Sequence, residues 1–321
     1  MKEQSNMKKI NLGLAIFAAA IMAVNAQTNS YSDVVGYYTK SFPAGGSLQT
    51  VALLKPVTFQ GAASSIVGAV LNATSPGWTV DQFNPANSLP AYYVEITSGP
   101  RAGYLYDIIS NTASSLTVSS ADIANAGGTA SFLIRAHTNL SEALKSSNNL
   151  TDYGDQITVF NGDDSSGNFI RDSSTSTGWL DATTFSESDA VIYPSQGYVL
   201  TAISSGDYMI TGTLKSTPTV VPLYAGQVNI VSLSNPGGIT KDIQNIDLGV
   251  NLIDYSDQVA TYLNDGSLGT QSALLYGGGQ DGFLDATTFS PVTGVNVAGE
   301  EAVIVSVSSS TTWSVKAPLN Q

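Results

Sequence analysis

The chain of 321 residues has no cysteine and a single histidine, His137. The first absence removes disulfides, thiolate metal sites and lipid attachment through an N-terminal cysteine, so stability must come from burial and backbone pairing. The second leaves zinc and copper chemistry short of ligands. It also leaves Ser-His-Asp catalysis only one candidate base. His137 lies between an apolar run and the next polar segment, where a residue at a structural junction is the plain reading. Cationic side chains are scarce too, with 12 Lys and Arg against 25 Asp and Glu. A surface this acidic repels phosphate backbones and anionic lipid, which argues against nucleic acid and membrane adsorption. No Gly-rich loop bearing Lys-Ser or Lys-Thr and no dinucleotide fingerprint is present.

What is present begins with an export signal. Lys8 and Lys9 precede an apolar stretch from Leu12 to Val24, and Val24-Asn25-Ala26 supplies the small residues a signal peptidase reads. Residues 1–26 are expected to be removed after Ala26, and Met7 is an alternative start. The apolar stretch falls short of the roughly 20 residues that span a bilayer. Without the leader the net charge moves from −13 to −15. An exported chain implies a periplasmic, outer-surface or extracellular location.

The remainder reads as strand. Thr, Ser, Val, Tyr and Gly dominate, and apolar residues alternate at Tyr92, Val94 and Ile96, at Tyr208, Ile210 and Leu214, and at Val303, Val305 and Val307. Turn chemistry such as Asp265-Gly266 and Pro236-Gly237-Gly238 separates the runs. The expected fold is all-β and mainly antiparallel.

One phrase occurs twice. Leu180-Asp181-Ala182-Thr183-Thr184-Phe185-Ser186 returns unchanged as Leu284 to Ser290. Each copy follows a Gly-aromatic pair, Gly178-Trp179 or Gly282-Phe283. Each precedes an apolar run, Ala190 to Tyr193 or Ala302 to Val305. Upstream, Asp152-Tyr153-Gly154-Asp155-Gln156-Ile157 corresponds to Asp254-Tyr255-Ser256-Asp257-Gln258-Val259. Offsets of 102 and 104 residues for the two phrases imply two copies of one β module. Each copy also has a segment with a capping residue that predicts one short helix, Ser141 to Lys145 and Thr240 to Ile243.

The modules extend back through Pro43-Ala44-Gly45 and Tyr224-Ala225-Gly226, each leading to an apolar strand ended by proline. From Pro236 to Tyr255 is 19 positions, whereas from Pro56 to Tyr153 is 97. The first module therefore carries an insertion of about 80 residues, Val57 to Arg135, whose five or six short strands suggest a small barrel. The expected division is 27–56 with 136–215 as the first module, 57–135 as the inserted β domain, and 216–321 as the second module.

Three kinds of candidate site follow. Glycoside hydrolysis needs two carboxylates, and Glu is rare after the leader: Glu95, Glu142, Glu187, Glu300 and Glu301. Alternation puts Glu95 on the outward phase of its strand. The repeated Asp181 and Asp285 read first as caps of the Ala-Thr-Thr turn. No residue is singled out as catalytic. Calcium is the one cofactor with candidates, because Asp163, Asp164 and Asp265 sit in matching loops rich in hard oxygen ligands. Such loops lack the closing glutamate of an EF-hand, and their composition is also ordinary for turns. Aromatic residues supply the third kind: Tyr37, Tyr93 and Trp179 are candidates for a sugar-binding platform, and rings of this sort also simply cover sheets.

Several stretches carry a resemblance. Val34-Val35-Gly36-Tyr37-Tyr38 with Pro43-Ala44-Gly45, Tyr92 to Pro100 with Gly103, Ser110 to Thr117, and Ile134-Arg135-Ala136-His137 together resemble an uncharacterised family of secreted, often multi-copy proteins of verrucomicrobial and related bacteria. The resemblance covers most of the exported chain and is most specific in its middle. It implies export and a multi-domain β architecture, and it carries no activity or site residue. The expected function is a non-catalytic structural, adhesive or glycan-binding role at or beyond the cell surface, with a glycan or surface protein as partner. The alternatives are a carboxylate-dependent glycan-active enzyme and a component that self-assembles through strand edges.

Overall fold

The computed structural model describes residues 35–86, 88–160, 166–237, 239–279 and 281–318. The expected signal segment and two of the calcium candidates, Asp163 and Asp164, lie outside them. The fold is all-β.

One stretch of the chain closes on itself. After β1 (Val35–Phe42) and β2 (Gly45–Thr50) the chain forms β3 (Val57–Val67), β4 (Val70–Ala73), β5 (Tyr92–Ile96), β6 (Leu105–Asn111), β7 (Ser115–Val118) and β8 (Ser131–Ala136). These close as a six-stranded antiparallel barrel in the order β3-β4-β7-β6-β5-β8. Alternation turns Leu71, Val94, Ile96, Ile108, Leu116, Phe132 and Ile134 into its interior, where Trp78 and Phe83 fill the remaining space. A 3₁₀ turn over Ala121–Ala126 plugs one side, and the Ser120 hydroxyl accepts the Asp122 N–H at 3.2 Å.

The rest of the chain builds two five-stranded sheets. β9 (Thr138–Asn139), β10 (Gln156–Phe160), β11 (Ser166–Arg171), β12 (Trp179–Asp181), β13 (Val191–Ile192), β14 (Gly197–Ala202) and β15 (Gly206–Thr213) follow the barrel. Then come β16 (Thr219–Leu223), β17 (Asn229–Ser232), β18 (Thr240–Asp242), β19 (Gln258–Tyr262), β20 (Thr270–Tyr276), β21 (Phe283–Asp285), β22 (Asn296–Ala298), β23 (Ala302–Ser306) and β24 (Thr311–Val315). The first sheet runs β12-β11-β10-β14-β2 and the second β21-β20-β19-β23-β17. The ribbons β1-β15 and β9-β13 accompany the first sheet, as β16-β24 and β18-β22 accompany the second. Strand for strand, the two arrangements are the same.

Each sheet buries one face against its long ribbon. In the first, Ile157, Val159, Trp179 and Leu200 meet Phe42, Tyr208 and Ile210, with Leu140 and Leu144 closing the end. In the second, Val259, Leu274, Phe283, Val303 and Val305 meet Val221, Leu223, Trp313 and Val315. Barrel and sheets thus own three separate cores, within the single compact unit Val34–Gln321. A fourth cluster, Leu48, Ile230 and Ala302, joins the two sheets. There the backbones touch: a Cβ on Gly45 would lie 2.2 Å from the Gly266 carbonyl oxygen, so only glycine fits.

Two expectations need correction. The first module has a one-turn α-helix over Leu140–Ala143, with Asn139 and Glu142 forming a capping box. At the matching place in the second module Thr240–Asp242 is a strand paired with β22, and Asp242 caps a 3₁₀ turn over Ile243–Asn245. Pairing with a neighbour overrode the local helix signal. Nor are the apolar runs after the repeated phrase equivalent. Val191–Ile192 belongs to the short ribbon with β9, whereas Ala302–Ser306 is a central strand corresponding to β14. Similar hydrophobic runs are told apart here by their partners alone.

Candidate functional site

The repeated phrase forms the same turn twice. Asp181 Oδ1 accepts Thr183 N at 3.0 Å, Thr184 N at 2.7 Å and Thr184 Oγ1 at 3.0 Å. Asp285 receives Thr287 N at 3.0 Å, Thr288 N at 2.7 Å and Thr288 Oγ1 at 3.0 Å. These donors stabilise the anion and hold both carboxyls below the usual range. Both carboxylates cap a turn, and neither faces a second acid.

The turn ends on an aromatic residue in an uncommon conformation. Phe185 has φ 54° and Phe289 φ 55°, in the left-handed region, and both rings are about 60% exposed. Tyr153 and Tyr255, in the other repeated phrase, have φ 57° and 55° and are 65% and 59% exposed. Most other non-glycine residues at positive φ are the small polar Ser, Asp or Asn, of which Asp and Asn tolerate this region better than an aromatic. Each tyrosine is aimed by a carboxylate: Tyr153 donates to Asp172 Oδ2 at 2.7 Å and Tyr255 to Asp281 Oδ2 at 3.0 Å. These bonds raise both phenols above their ordinary value. Tyr153 N–H meets the Arg171 carbonyl at the end of β11, while Phe185 follows β12 on the turn whose Ala182 N–H meets Asn168. The two aromatics of a module therefore stand at opposite ends of its edge strand.

The aromatic candidates named from sequence separate. Tyr37 is 75% exposed on β1. Trp179 is fully buried in the first module's core, beneath the Arg171 guanidinium at 5.5 Å. Tyr93 does point away from the barrel interior, but the first module covers that face and stacks His137 on it at 4.8 Å, leaving 1% exposure. Neither Trp179 nor Tyr93 belongs to an exposed platform. The outward phase of a barrel strand is a surface only where nothing docks.

Glu95 is corrected for the same reason. It is fully buried at the root of the barrel, where Lys215 Nζ reaches Oε1 at 2.7 Å and Thr217 Oγ1 also donates to it. Arg135 lies beside it and donates to the Lys55 carbonyl at 2.8 Å and to Thr213 Oγ1 at 2.9 Å. Burial pushes the Lys215 ammonium down, against the pull of Glu95. This cluster ties the barrel to the end of β15 and the residues that follow it. Glu142 pairs with Lys55 at 2.9 Å, and Glu187 caps Thr177 N at 2.8 Å.

Among the calcium candidates only Asp265 lies in a described segment. It is exposed and accepts Ser267 N at 2.9 Å and Ser267 Oγ at 2.6 Å, closing its own turn. Among the described residues no three His, Asp or Glu side chains are grouped to hold a metal. No described helix is long and apolar enough to cross a membrane.

His137 sits beside the principal cleft. A cavity of about 440 Å³ opens where the barrel, the first sheet and the second sheet meet. Leu105, Asp107 and Ser119 line it from the barrel, Phe160, Tyr193 and Gln196 from the first module, and Val220 to Pro222 and Val228 to Val231 from the second. Asp107 is its chemical centre. One oxygen takes His137 Nε2 at 3.0 Å and the other takes the Tyr193 hydroxyl at 2.7 Å. Burial and the adjacent Asp107 raise the Tyr193 phenol well above its ordinary value.

Sequence reasoning isolated His137 but not its partners. Asp107 and Tyr193 are 86 positions apart and meet only through the barrel's docking. Phe185, Phe289, Tyr153 and Tyr255 were within reach, since each is the aromatic member of a repeated phrase. Comparison with protein-family models, curated proteins and solved structures returned no match.

Proposed function

We propose that the protein is an exported, non-catalytic β-protein that binds glycan at or beyond the cell surface, in an adhesive or structural role. One observation carries this reading: each sheet holds an exposed Tyr and an exposed Phe at matching positions, all four on left-handed backbone. A non-glycine residue there costs on the order of 1–2 kcal/mol. Exposing a large ring forgoes burial as well. Glycine would make the same turns without either cost, and such strain collects where a surface is used. Flat rings with carboxylates and hydroxyls beside them suit the apolar faces and hydroxyl edges of sugars. Asp181, Asp285 and Glu187 cap turns, and Glu95 and Glu142 pair with lysines, which favours binding over hydrolysis. The family resemblance and the leader-like N-terminus support export.

The test is a glycan array probed with the mature protein in calcium and again in chelator. Binding without product release is expected. A variant combining Phe185→Gly and Phe289→Gly should lose at least about tenfold in binding. Its thermal midpoint should fall little or rise, because glycine suits those positions. Loss of binding in chelator would add calcium as a cofactor through the Asp265 loop and its counterpart. A silent array, or binding that survives the double substitution, would overturn the aromatic reading.

A further inference from the structure

The cleft among barrel and sheets is independent of the exposed aromatics. We propose that it binds a small amphipathic molecule, with an aliphatic body and a hydrogen-bond-donating head, a primary ammonium in preference, seated on Asp107. Its volume of about 440 Å³ falls within the range of small-molecule sites. Leu105, Val220, Pro222 and Val228 give it an aliphatic side, alongside polar Asp107, Ser119 and Gln196. Three parts of the chain that own separate cores contribute to it, so it is built by docking and is not a gap within one core.

The head group follows from Asp107. An ionised carboxylate only accepts, and its two oxygens offer about four acceptor positions. Tyr193 and His137 occupy one on each oxygen, and the side chain keeps 19% exposure. His137 presents Nε2 to the carboxylate at 3.0 Å. Its Nδ1 is buried without a hydrogen-bond partner, so the ring turns its only hydrogen bond to Asp107. No lysine or arginine appears among the described residues lining the cleft. A cationic donor completes this site, whereas an anion meets a carboxylate with no lysine or arginine beside it in a chain of net charge −13.

Hexylamine, hexanol and hexanoate share one aliphatic body and differ only in the head, which makes them suitable probes. Saturation-transfer NMR on the full chain should show hexylamine binding at least about tenfold more tightly than hexanoate, with hexanol between them. Asp107→Asn should erase the preference for the amine. Val228→Trp, at the cleft's exposed rim, should exclude all three probes and leave the Asp107 contacts in place. Equal binding of the three by the unaltered protein, or no saturation by any of them, would overturn the proposal. So would a Val228→Trp variant that binds as before, an arm that holds even where Asp107→Asn fails to fold. Glycan binding at Phe185 and Phe289 is read separately and should be untouched by Val228→Trp.

Discussion

Set side by side, the two sheets keep their geometry and exchange their chemistry. Buried Asp155 accepts Thr151 N at 2.8 Å and Ile203 N at 2.7 Å; buried Asp257 accepts Ile253 N at 2.8 Å and Ser308 N at 2.7 Å. Gly178 and Gly282 both take positive φ before the aromatic that fills the core. Yet that aromatic is Trp179 under the Arg171 guanidinium in one sheet, and Phe283 against Tyr276 at 5.4 Å in the other. The acceptor that aims the exposed tyrosine is Asp172 in one and Asp281, from a different part of the loop, in the other. The fold demands a turn, a buried stitch and a filled core. It does not demand which side chains supply the last of these. An exposed aromatic at four left-handed positions lies outside those demands, which is what supports the binding proposal.

The strongest way to break this comparison is to empty each core. Trp179→Ala and Phe283→Ala should each lose about 3–5 kcal/mol, measured by urea unfolding. Hydrogen exchange should show lost protection in β10 to β14 for the first and in β19 to β23 for the second. Loss spread evenly over both sheets in either variant would mean the cores are not separate.

A smaller effect sharpens the contact between the sheets. Lys40 is buried, and its ammonium donates to the Glu300 carbonyl of the second module. Burial pulls its pKa from 10.5 to about 8, partly offset by the charges of Glu300 and Glu301. The unfolded chain therefore holds this proton over a range where the folded protein has released it, so Lys40 makes stability rise with pH above about 8. Ionising tyrosines act in the opposite sense near pH 10, because burial raises Tyr38 and Tyr93 in the fold. Urea midpoints between about pH 8 and 10 should climb, and Lys40→Met should flatten that climb. An unchanged slope in the variant would remove Lys40 from the account.

The smallest effect concerns the paired caps. Asp181 and Asp285 are held below the ordinary carboxylate value, so their contribution is complete above it and disappears as pH falls through the lowered folded value. Asp181→Asn and Asp285→Asn should each reduce the acid dependence of the thermal midpoint slightly, and by the same amount. Unequal responses would show that identical phrases are not held alike.

How much of this was legible beforehand depended on range. The barrel's strands, from Val57 to Ala136, could be read because alternation and turns are local signals. The caps at Asp181 and Asp285 were legible because an Asx turn is written within three residues. Burial was not. Tyr93 and Glu95 follow the outward phase correctly, and whether that phase meets water or a docked neighbour depends on Lys215 and His137, placed far along the chain. The cleft was invisible for the same reason: Asp107, Tyr193 and Val228 share nothing in sequence.

The folded-back phrase has one more consequence. Beyond each three-residue outer strand the chain reverses, so that Leu180 bridges Glu187 and Leu284 bridges Pro291, while Asp181 and Asp285 take Ser186 and Ser290 as backbone acceptors. The outer rim of each large sheet is thereby spent on its own chain. A neighbouring copy arriving there finds few free amides to template on. Any contact with another molecule at that rim must then go through the rings that stand out from it.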